Sequence, residues 1–285
     1  MVLVQTQYDW KFMAASNDHR LRRIASRQNS LVKDLRKAFA QSEPTAQGFL
    51  AIEGVRIIEE AIRSGLRFQA VFFSDRGTAH ADRLLPQISQ HTEALVLPDD
   101  IFANAVSTDT PQGVAALVKL KTTRLEDMLE TGSKPLMVGV RGIQDPGNLG
   151  TIIRSAEAFA AGAVLLGENT VGSANPKAVR ASAGSLFRQP IIAVKMLEAL
   201  ALLKENQYRV IATSSHKGRA ADEVDLSGPI ALMIGNEGAG LPAAVMAQAD
   251  ELVTIPHSAR VESLNAGIAA SILLYEAARQ RKAHH

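Results

Sequence analysis

Three short segments combine glycines, amides and charged side chains at spacings that can do chemistry. The first reads Arg141-Gly142-Ile143-Gln144-Asp145-Pro146-Gly147-Asn148-Leu149-Gly150, with Arg154 following. Gly147 and Gly150 allow close backbone approach. Asn148 is placed to cap a helix by accepting from the free N–H groups of its first turn. Arg154 can reach around that turn to a phosphate. A capped turn with a surface arginine fits the same residues. The second segment, Ile234 to Pro242, sets Gly235, Gly238 and Gly240 around Asn236 and Glu237. Such a loop wraps a flat ligand with its backbone amides and carbonyls. It is no Walker loop, since no Gly-Lys-Ser/Thr ends it, and no dinucleotide fingerprint, since Gly-x-Gly-x-x-Gly is absent. A tight turn is the plainer alternative. The third segment runs Ile255-Pro256-His257 and then Glu262-Ser263-Leu264-Asn265. Ser263 reads as a helix N-cap, and Asn265 presents an amide near the positive end of that helix. His257 is a tempting base, yet no serine or carboxylate spacing links it to a triad, so it is read as structural.

The elements around these segments form two alternating series. The first has a helix over Ser30–Ala40 and a strand over Phe49–Ile52. A helix over Gly54–Arg63 and a strand over Gln69–Phe73 follow. Then come a helix over Ala81–Gln90, a strand over Ala94–Leu97, a helix over Asp100–Val106 and a strand over Val114–Lys119. The polar, helix-prone stretch 121–134 marks the boundary. In the second series, strand Leu136–Val140 leads to helix Leu149–Ala160, and strand Ala163–Leu166 to a helix near Pro176–Ala183. Strand Ile191–Val194, helix Leu197–Asn206, and strands Arg209–Thr213, Ile230–Ile234 and Leu252–Ile255 follow, then a helix over Leu264–Arg281. Apolar strands separated by helices imply an α/β protein with a parallel sheet covered on both faces. All three segments then lie at carboxyl ends of strands, where open α/β sheets bind ligands.

Composition narrows the classes. The 285 residues suit two moderate domains. With 46% hydrophobic and 21% charged residues the chain is not largely disordered. No cysteine occurs, which excludes a disulfide scaffold, a thiolate metal site and a cysteine nucleophile; no metal site is expected. The longest apolar runs are about half a membrane span, and Met1–Trp10 lack a signal-peptide pattern. A cytoplasmic protein is the default. Trp10 and Phe12 either pack on the body or belong to a loose tail, and the terminal histidines are excluded as ligands. The net charge of +2 hides an asymmetry. Between His19 and Lys37, seven basic residues face one acid, while the rest of the chain carries 24 basic and 28 acidic residues. This block, with Arg20, Arg22, Arg23, Arg27, Lys33 and Arg36, points to a polyanion partner such as RNA or DNA, or else to a solvated helix face.

Together the three segments resemble the SpoU (TrmH) family of the SPOUT superfamily, the RNA ribose 2′-O-methyltransferases. Asn148, Gly150 and Arg154 match its Asn-x-Gly-x-x-x-Arg signature. Gly235, Asn236, Glu237 and Gly238 match Gly-Asn-Glu-Gly. Ile255, Pro256, Ser263, Leu264 and Asn265 match Ile-Pro … Ser-Leu-Asn. The stretch Arg180 to Phe187 is also similar to the family. One departure is Ala266-Gly267, where many relatives have Val-Ser. Residues 135–285 would be the SpoU methyltransferase domain, residues 20–120 a smaller L30e-like α/β domain that binds RNA, 121–134 a linker and 1–19 a tail.

The resemblance implies a deep trefoil knot, a homodimer with active sites at the subunit interface, and S-adenosylmethionine held by Thr213, Gly235, Asn236, Ile255 and Leu264. It also implies catalytic roles for Arg154, Asn148, Glu237, Asn265 and Ser263, with Asn148 and Asn265 shaping the donor pocket and Glu237 holding the loops or Arg154. Arg154 is a proposed base in the family, but a guanidinium normally keeps its proton. Orienting the ribose and stabilising the developing oxyanion suits it better. Ribosomal RNA is the favoured substrate because a separate domain precedes the catalytic one, and tRNA is second. Arg279, Arg281 and Lys282 add phosphate contacts or only solubility. A non-catalytic RNA-binding protein of the same fold, or a nucleotide-dependent oxidoreductase, are the other classes.

Overall fold

Apolar strand segments alternating with amphipathic helices assemble into two sheets, one in each half of the chain. The computed structural model describes residues 20–130, 135–258 and 260–283, and the chain divides into the units Met1–Leu120 and Lys121–His285. Trp10, Phe12 and the last two histidines lie outside the described residues, as do residues 131–134 of the expected linker.

The first unit is built on five strands: β1 (Leu21–Arg23), β2 (Phe49–Glu53), β3 (Arg67–Ser74), β4 (Glu93–Leu97) and β5 (Val114–Lys119). Their order is β1-β4-β3-β5-β2. β1, β4 and β3 run parallel, and β5 is antiparallel to both β3 and β2. Helix α1 (Ser30–Gln41) starts where the Asn29 side chain accepts from the amides of Leu31 and Val32. Val32, Leu35, Ala38 and Phe39 recur at helical spacing and bury against Phe72, Leu95 and Leu117 of the sheet. Helix α2 (Val55–Arg63) follows β2.

Three expectations for this half are corrected. The helix over Ala81–Gln90 is cut to a short α3 (Ala81–Leu84) and a 3-10 turn at Leu85–Gln87, and another 3-10 turn at Arg76–His80 precedes it. Pro86 lacks an N–H and its ring blocks continuation. The helix after β4 is α4 (Asp99–Ala103), shorter than expected. The basic block hides an edge strand, since Leu21–Arg23 pair with Ala94–Val96 of β4; in such a charge-rich stretch the strand pattern is masked.

The second unit opens with α5 (Leu125–Glu130), which lies within the stretch expected as a linker, and Leu125 is buried in its core. Seven strands follow: β6 (Met137–Val140), β7 (Ala163–Leu166), β8 (Ile191–Ala193), β9 (Arg209–Thr213), β10 (Arg219–Ala220), β11 (Ile230–Ile234) and β12 (Glu251–Thr254). All pairings are parallel, in the order β10-β12-β9-β11-β6-β7-β8. The two-residue β10 was not anticipated. The helices are α6 (Pro146–Ala158), α7 (Pro176–Ala181), α8 (Met196–Glu205), α9 (Ala243–Met246) and α10 (Ala266–Ala283). Val210, Ala231, Met233 and Met137 from the central strands pack with Leu200 and Leu203 of α8 in one core. The chain builds outward from β6 to β8, returns to β9, and then inserts β11 between β9 and β6. Direction reverses there, and the carboxyl ends of β6, β9, β11 and β12 open onto one region.

Candidate active site

A cavity of about 380 Å3 opens at those strand ends, and residues of the β9, β11 and β12 exits line it. Thr213, Gly235, Asn236, Ile255 and Leu264, the five expected donor-site residues, are all in its wall, with Glu237 and Ser263. Its size falls in the range of roughly 300–1,000 Å3 usual for small-molecule sites.

The loop after β11 is held by its own asparagine. Asn236 Oδ1 accepts from the amides of Gly238 (2.9 Å) and Ala239 (3.0 Å), and the backbones of Asn236 and Gly240 exchange bonds of 3.2 and 2.9 Å. Its Nδ2 donates to the Gly142 carbonyl at 3.1 Å, tying the second segment to the first. Asn236 therefore acts through loop geometry. Gly235 is required by close approach, because a Cβ there would lie 2.5 Å from the Gly240 carbonyl carbon. Thr213 Oγ1 donates to the Met233 carbonyl at 2.9 Å and locks β9 to β11 at the wall.

Two capping expectations are corrected. Helix α6 begins at Pro146, and Asp145, not Asn148, is its cap; the carboxylate accepts from the Asn148 amide at 2.9 Å. Aspartate before proline at the first helical position is a readable start signal that sequence reasoning missed. Helix α10 begins at Ala266, and Asn265 rather than Ser263 caps it, its Oδ1 accepting from Ile268 N at 3.2 Å. Freed from capping, the Asn148 side chain links the three segments. Its Nδ2 donates to Glu237 Oε1, and its Oδ1 accepts from Asn265 Nδ2 at 2.8 Å. Glu237 is thus held by Asn148, and no bond to Arg154 is found among the described residues.

Gly150 lets α6 meet α7, since a Cβ there would lie 2.5 Å from Ala181 Cβ and 2.7 Å from the Ala178 carbonyl oxygen. Arg154 stands one turn later, exposed, with no ion pair among the described residues. Arg141, at the exit of β6, is instead committed to Glu168 at 3.0 Å. The Glu168 carboxyl is lowered from its usual range by its own backbone amide, against a smaller opposing effect of burial, with help from the Met196 amide and Arg141. His257 faces two carbonyls, Ile255 at 2.8 Å and Val261 at 3.1 Å, consistent with a structural histidine.

The expected RNA-binding cations divide. Arg20 holds the carbonyls of Leu85 and Ser89, and Arg22, Arg23 and Arg27 pair with Glu93, Asp75 and Asp100 at 2.8 to 2.9 Å. These four therefore have structural partners. Lys33 and Arg36 sit exposed on α1 with no ion pair among the described residues. At the other end of the chain, Arg281 is half-buried and donates to the carbonyls of Leu226 and Gly228. Burial pushes its guanidinium below the usual value. Arg279 pairs with Glu276 at 2.7 Å. Neither is a free phosphate contact.

Residues 135–275 match the model of the SpoU rRNA methylase family. The chain belongs to that family. The 23S rRNA (guanosine(2553)-2′-O)-methyltransferase RlmP of Bacillus subtilis is 33% identical over 255 residues, 90% of this chain and 98% of that protein. Residues 29–116 match the MRM3-like substrate binding domain. The SpoU methyltransferase AviRb of Streptomyces viridochromogenes, solved with S-adenosylmethionine, superposes with a TM-score of 0.78 at 28% identity, covering 90% of this chain and 99% of that one. An S-adenosylmethionine-bound rRNA methyltransferase of Sinorhizobium meliloti gives 0.77 at 26%, covering 91% and 98%.

As a SpoU methylase the chain is an S-adenosylmethionine-dependent RNA methyltransferase, which removes the oxidoreductase alternative. The cavity fits that molecule chemically. Gly235, Gly238 and Gly240 leave backbone groups bare toward a flat ligand, and Glu237 puts a carboxylate in the wall for a cationic one. No helix among the described residues is long and apolar enough to cross a membrane.

Proposed function

We propose that this chain methylates the 2′-hydroxyl of one ribose in ribosomal RNA, as a homodimer in the cytoplasm. The observation that carries the reading is the hydrogen-bonded run from Asn265 through Asn148 to Glu237, which joins the three signature segments beside the cavity. The preference for ribosomal RNA draws support from the Bacillus subtilis relative, named for 23S rRNA, and transfer to tRNA is the second reading.

S-adenosylmethionine, when bound, supplies a methyl group on a sulfonium and so a good leaving group. The residues of the chain do the rest. The backbone at Gly235, Ile255 and Leu264 shapes the cavity, with Asn236 and Thr213 bracing it from behind. Glu237, oriented by Asn148, sets the charge of the wall. Asn265 and Asn148 hold the geometry between cavity and acceptor, and Ser263 is exposed at the rim. Arg154 presents an unpaired guanidinium on the adjoining helix. It orients the RNA through a phosphate and donates to the ribose oxygen as negative charge develops there. The proton passes to water or to the phosphate, because the guanidinium keeps its own.

Support for a dimer comes from α10. Ile268, Ile272 and Tyr275 are 52%, 39% and 56% exposed at spacings of four and three, a stripe suited to a second copy. The same helix packs on the Arg154 helix, with Ser155 and Ser271 hydroxyls 2.6 Å apart, so a partner there would complete the site. The deep trefoil knot, with the C-terminal stretch tucked through a loop, belongs to the same reading.

The test is transfer of radiolabelled methyl from S-adenosylmethionine to purified ribosomal RNA and tRNA pools, with Arg154→Ala in parallel. Label in ribosomal RNA, on the ribose and lost in the variant, is expected. Label in tRNA alone would overturn the substrate, and absence of donor binding would sink the methyltransferase reading.

A further inference from the structure

The first unit holds a second cavity, of about 450 Å3, between the amino ends of β2 and β3 and the segment 87–92. Its wall contains Gln47, Gln69, Gln87, Arg67 and His91 and no carboxylate. Arg67 is exposed and has no ion pair among the described residues. Lys119 adds positive charge alongside. Its Nζ donates to the Gln47 carbonyl at 2.5 Å and lies 5.3 Å from the centre of the Phe49 ring. The place is cationic and rich in amides, chemistry that suits an anionic ligand with hydrogen-bonding edges.

The amides carry a second signal. Gln69 Nε2 donates to Gln47 Oε1 at 2.7 Å, yet Gln69 Oε1 is buried with no hydrogen-bond partner. Turning both amides over only exchanges an orphan acceptor for an orphan donor. Buried polar atoms are nearly always paired, so an exception needs a reason. The last torsion of a glutamine is soft, and Gln69 is itself in the wall of the cavity.

We propose that this cavity binds one unpaired nucleotide of the RNA substrate. Arg67 and His91 meet its phosphate, and the Gln47–Gln69 pair meets the base. The Watson–Crick edge of every base sets an N–H donor beside an acceptor, which such an amide pair complements. A base must be splayed from its helix to enter, the usual mode of sequence-dependent RNA recognition. The identity of the polyanion rests on the methyltransferase reading. The cavity itself lies in the other unit from the donor site, and it gives that first unit a means of choosing the RNA.

The experiment compares wild type with Arg67→Ala and Gln69→Leu, both first checked by circular dichroism melting. Filter binding to the ribosomal RNA pool is measured across a salt series, together with KM for that RNA and calorimetric affinity for S-adenosylmethionine. Arg67→Ala should weaken RNA binding about three- to tenfold and lower the salt slope by about one. Gln69→Leu should weaken it about fivefold with the slope unchanged. Both losses should fall on KM for RNA and leave donor affinity alone. RNA affinities within twofold of wild type would overturn the pocket and leave the methyltransferase reading standing. A wild type that binds donor but no RNA would overturn both. A titration with the four 5′-nucleoside monophosphates distinguishes a free nucleotide. Tight monophosphate binding lost in Arg67→Ala, with RNA affinity untouched, would overturn the assignment to the RNA strand.

Discussion

The side chains of Asn148 and Asn265, 117 residues apart in the chain, are joined by a 2.8 Å hydrogen bond, and the same Asn148 amide donates to Glu237. One amide thus fixes the relative positions of a helix start, a glycine loop and the cap of the last helix. Asn148→Ala removes both bonds and leaves Glu237 without its donor. Losing a bond to a partly buried charged group costs about 1–3 kcal/mol. A fall in kcat/KM of roughly 5- to 150-fold is expected, and steady-state methyl transfer checks it. Glu237→Gln keeps an acceptor toward Asn148 and should fall less than Glu237→Leu.

Arg154 has no ion pair among the described residues. Its replacement should therefore leave the melting temperature within about a degree while lowering kcat by roughly 10²–10³, the usual cost of removing a transition-state donor. Arg154→Lys should rescue little, since an ammonium lacks the planar fork. Full activity in Arg154→Lys would argue for simple charge attraction instead.

Gly150→Ala drives a Cβ into the backbone of α7, 2.7 Å from the Ala178 carbonyl oxygen. Backbone cannot yield as a side-chain end can, so a loss of about 1–3 kcal/mol is expected from overpacking. Urea unfolding measures it.

The acid limb of stability follows from two glutamates. The Arg188 side chain bonded to Glu157 holds that carboxyl below its usual 4.5, and Arg279 does the same for Glu276. A depressed carboxylate adds stability that is complete above the unfolded value and lost as pH falls through the folded one. Melting temperature should thus decline progressively below about pH 4.5. Glu157→Gln should start lower at neutral pH and decline less steeply in acid. Both pairs are partly exposed, so added salt should shrink the difference.

Ile272 is exposed in the middle of the apolar stripe on α10. Ile272→Glu should turn a dimer into monomers in sedimentation velocity and remove methyl transfer without lowering donor binding by the same factor. A wild-type protein that sediments as a monomer at micromolar concentration would overturn the dimer.

Local pattern was enough for most strands of the second unit. Ala163–Leu166, Arg209–Thr213 and Ile230–Ile234 are short apolar runs between turn residues, and their limits match the reading from sequence. Their burial in a parallel sheet leaves no polar face to blur the signal. The expected helix over Ala81–Gln90 ends at Leu84 because Pro86 cannot donate to the next turn and its ring blocks it. The edge strand Leu21–Arg23 was missed because its charges resemble a solvated run, while its partner β4 lies about 70 residues away.

The sequence by itself determined the family, the alternation of elements and the identity of the residues around the cavity, since each is a matter of residue type and short spacing. Tertiary structure decided what those residues do to one another. Asp145 and Asn265 are the caps, where Asn148 and Ser263 had equal local claim. Of the six basic residues read as RNA contacts, only Lys33 and Arg36 have side chains with no ion pair or hydrogen bond among the described residues, because Glu93, Asp75 and Asp100 are brought to Arg22, Arg23 and Arg27 by the fold, and backbone carbonyls to Arg20. A hydrogen bond or an ion pair is made or missed within about an ångström, and no spacing along the chain sets a distance across 117 residues.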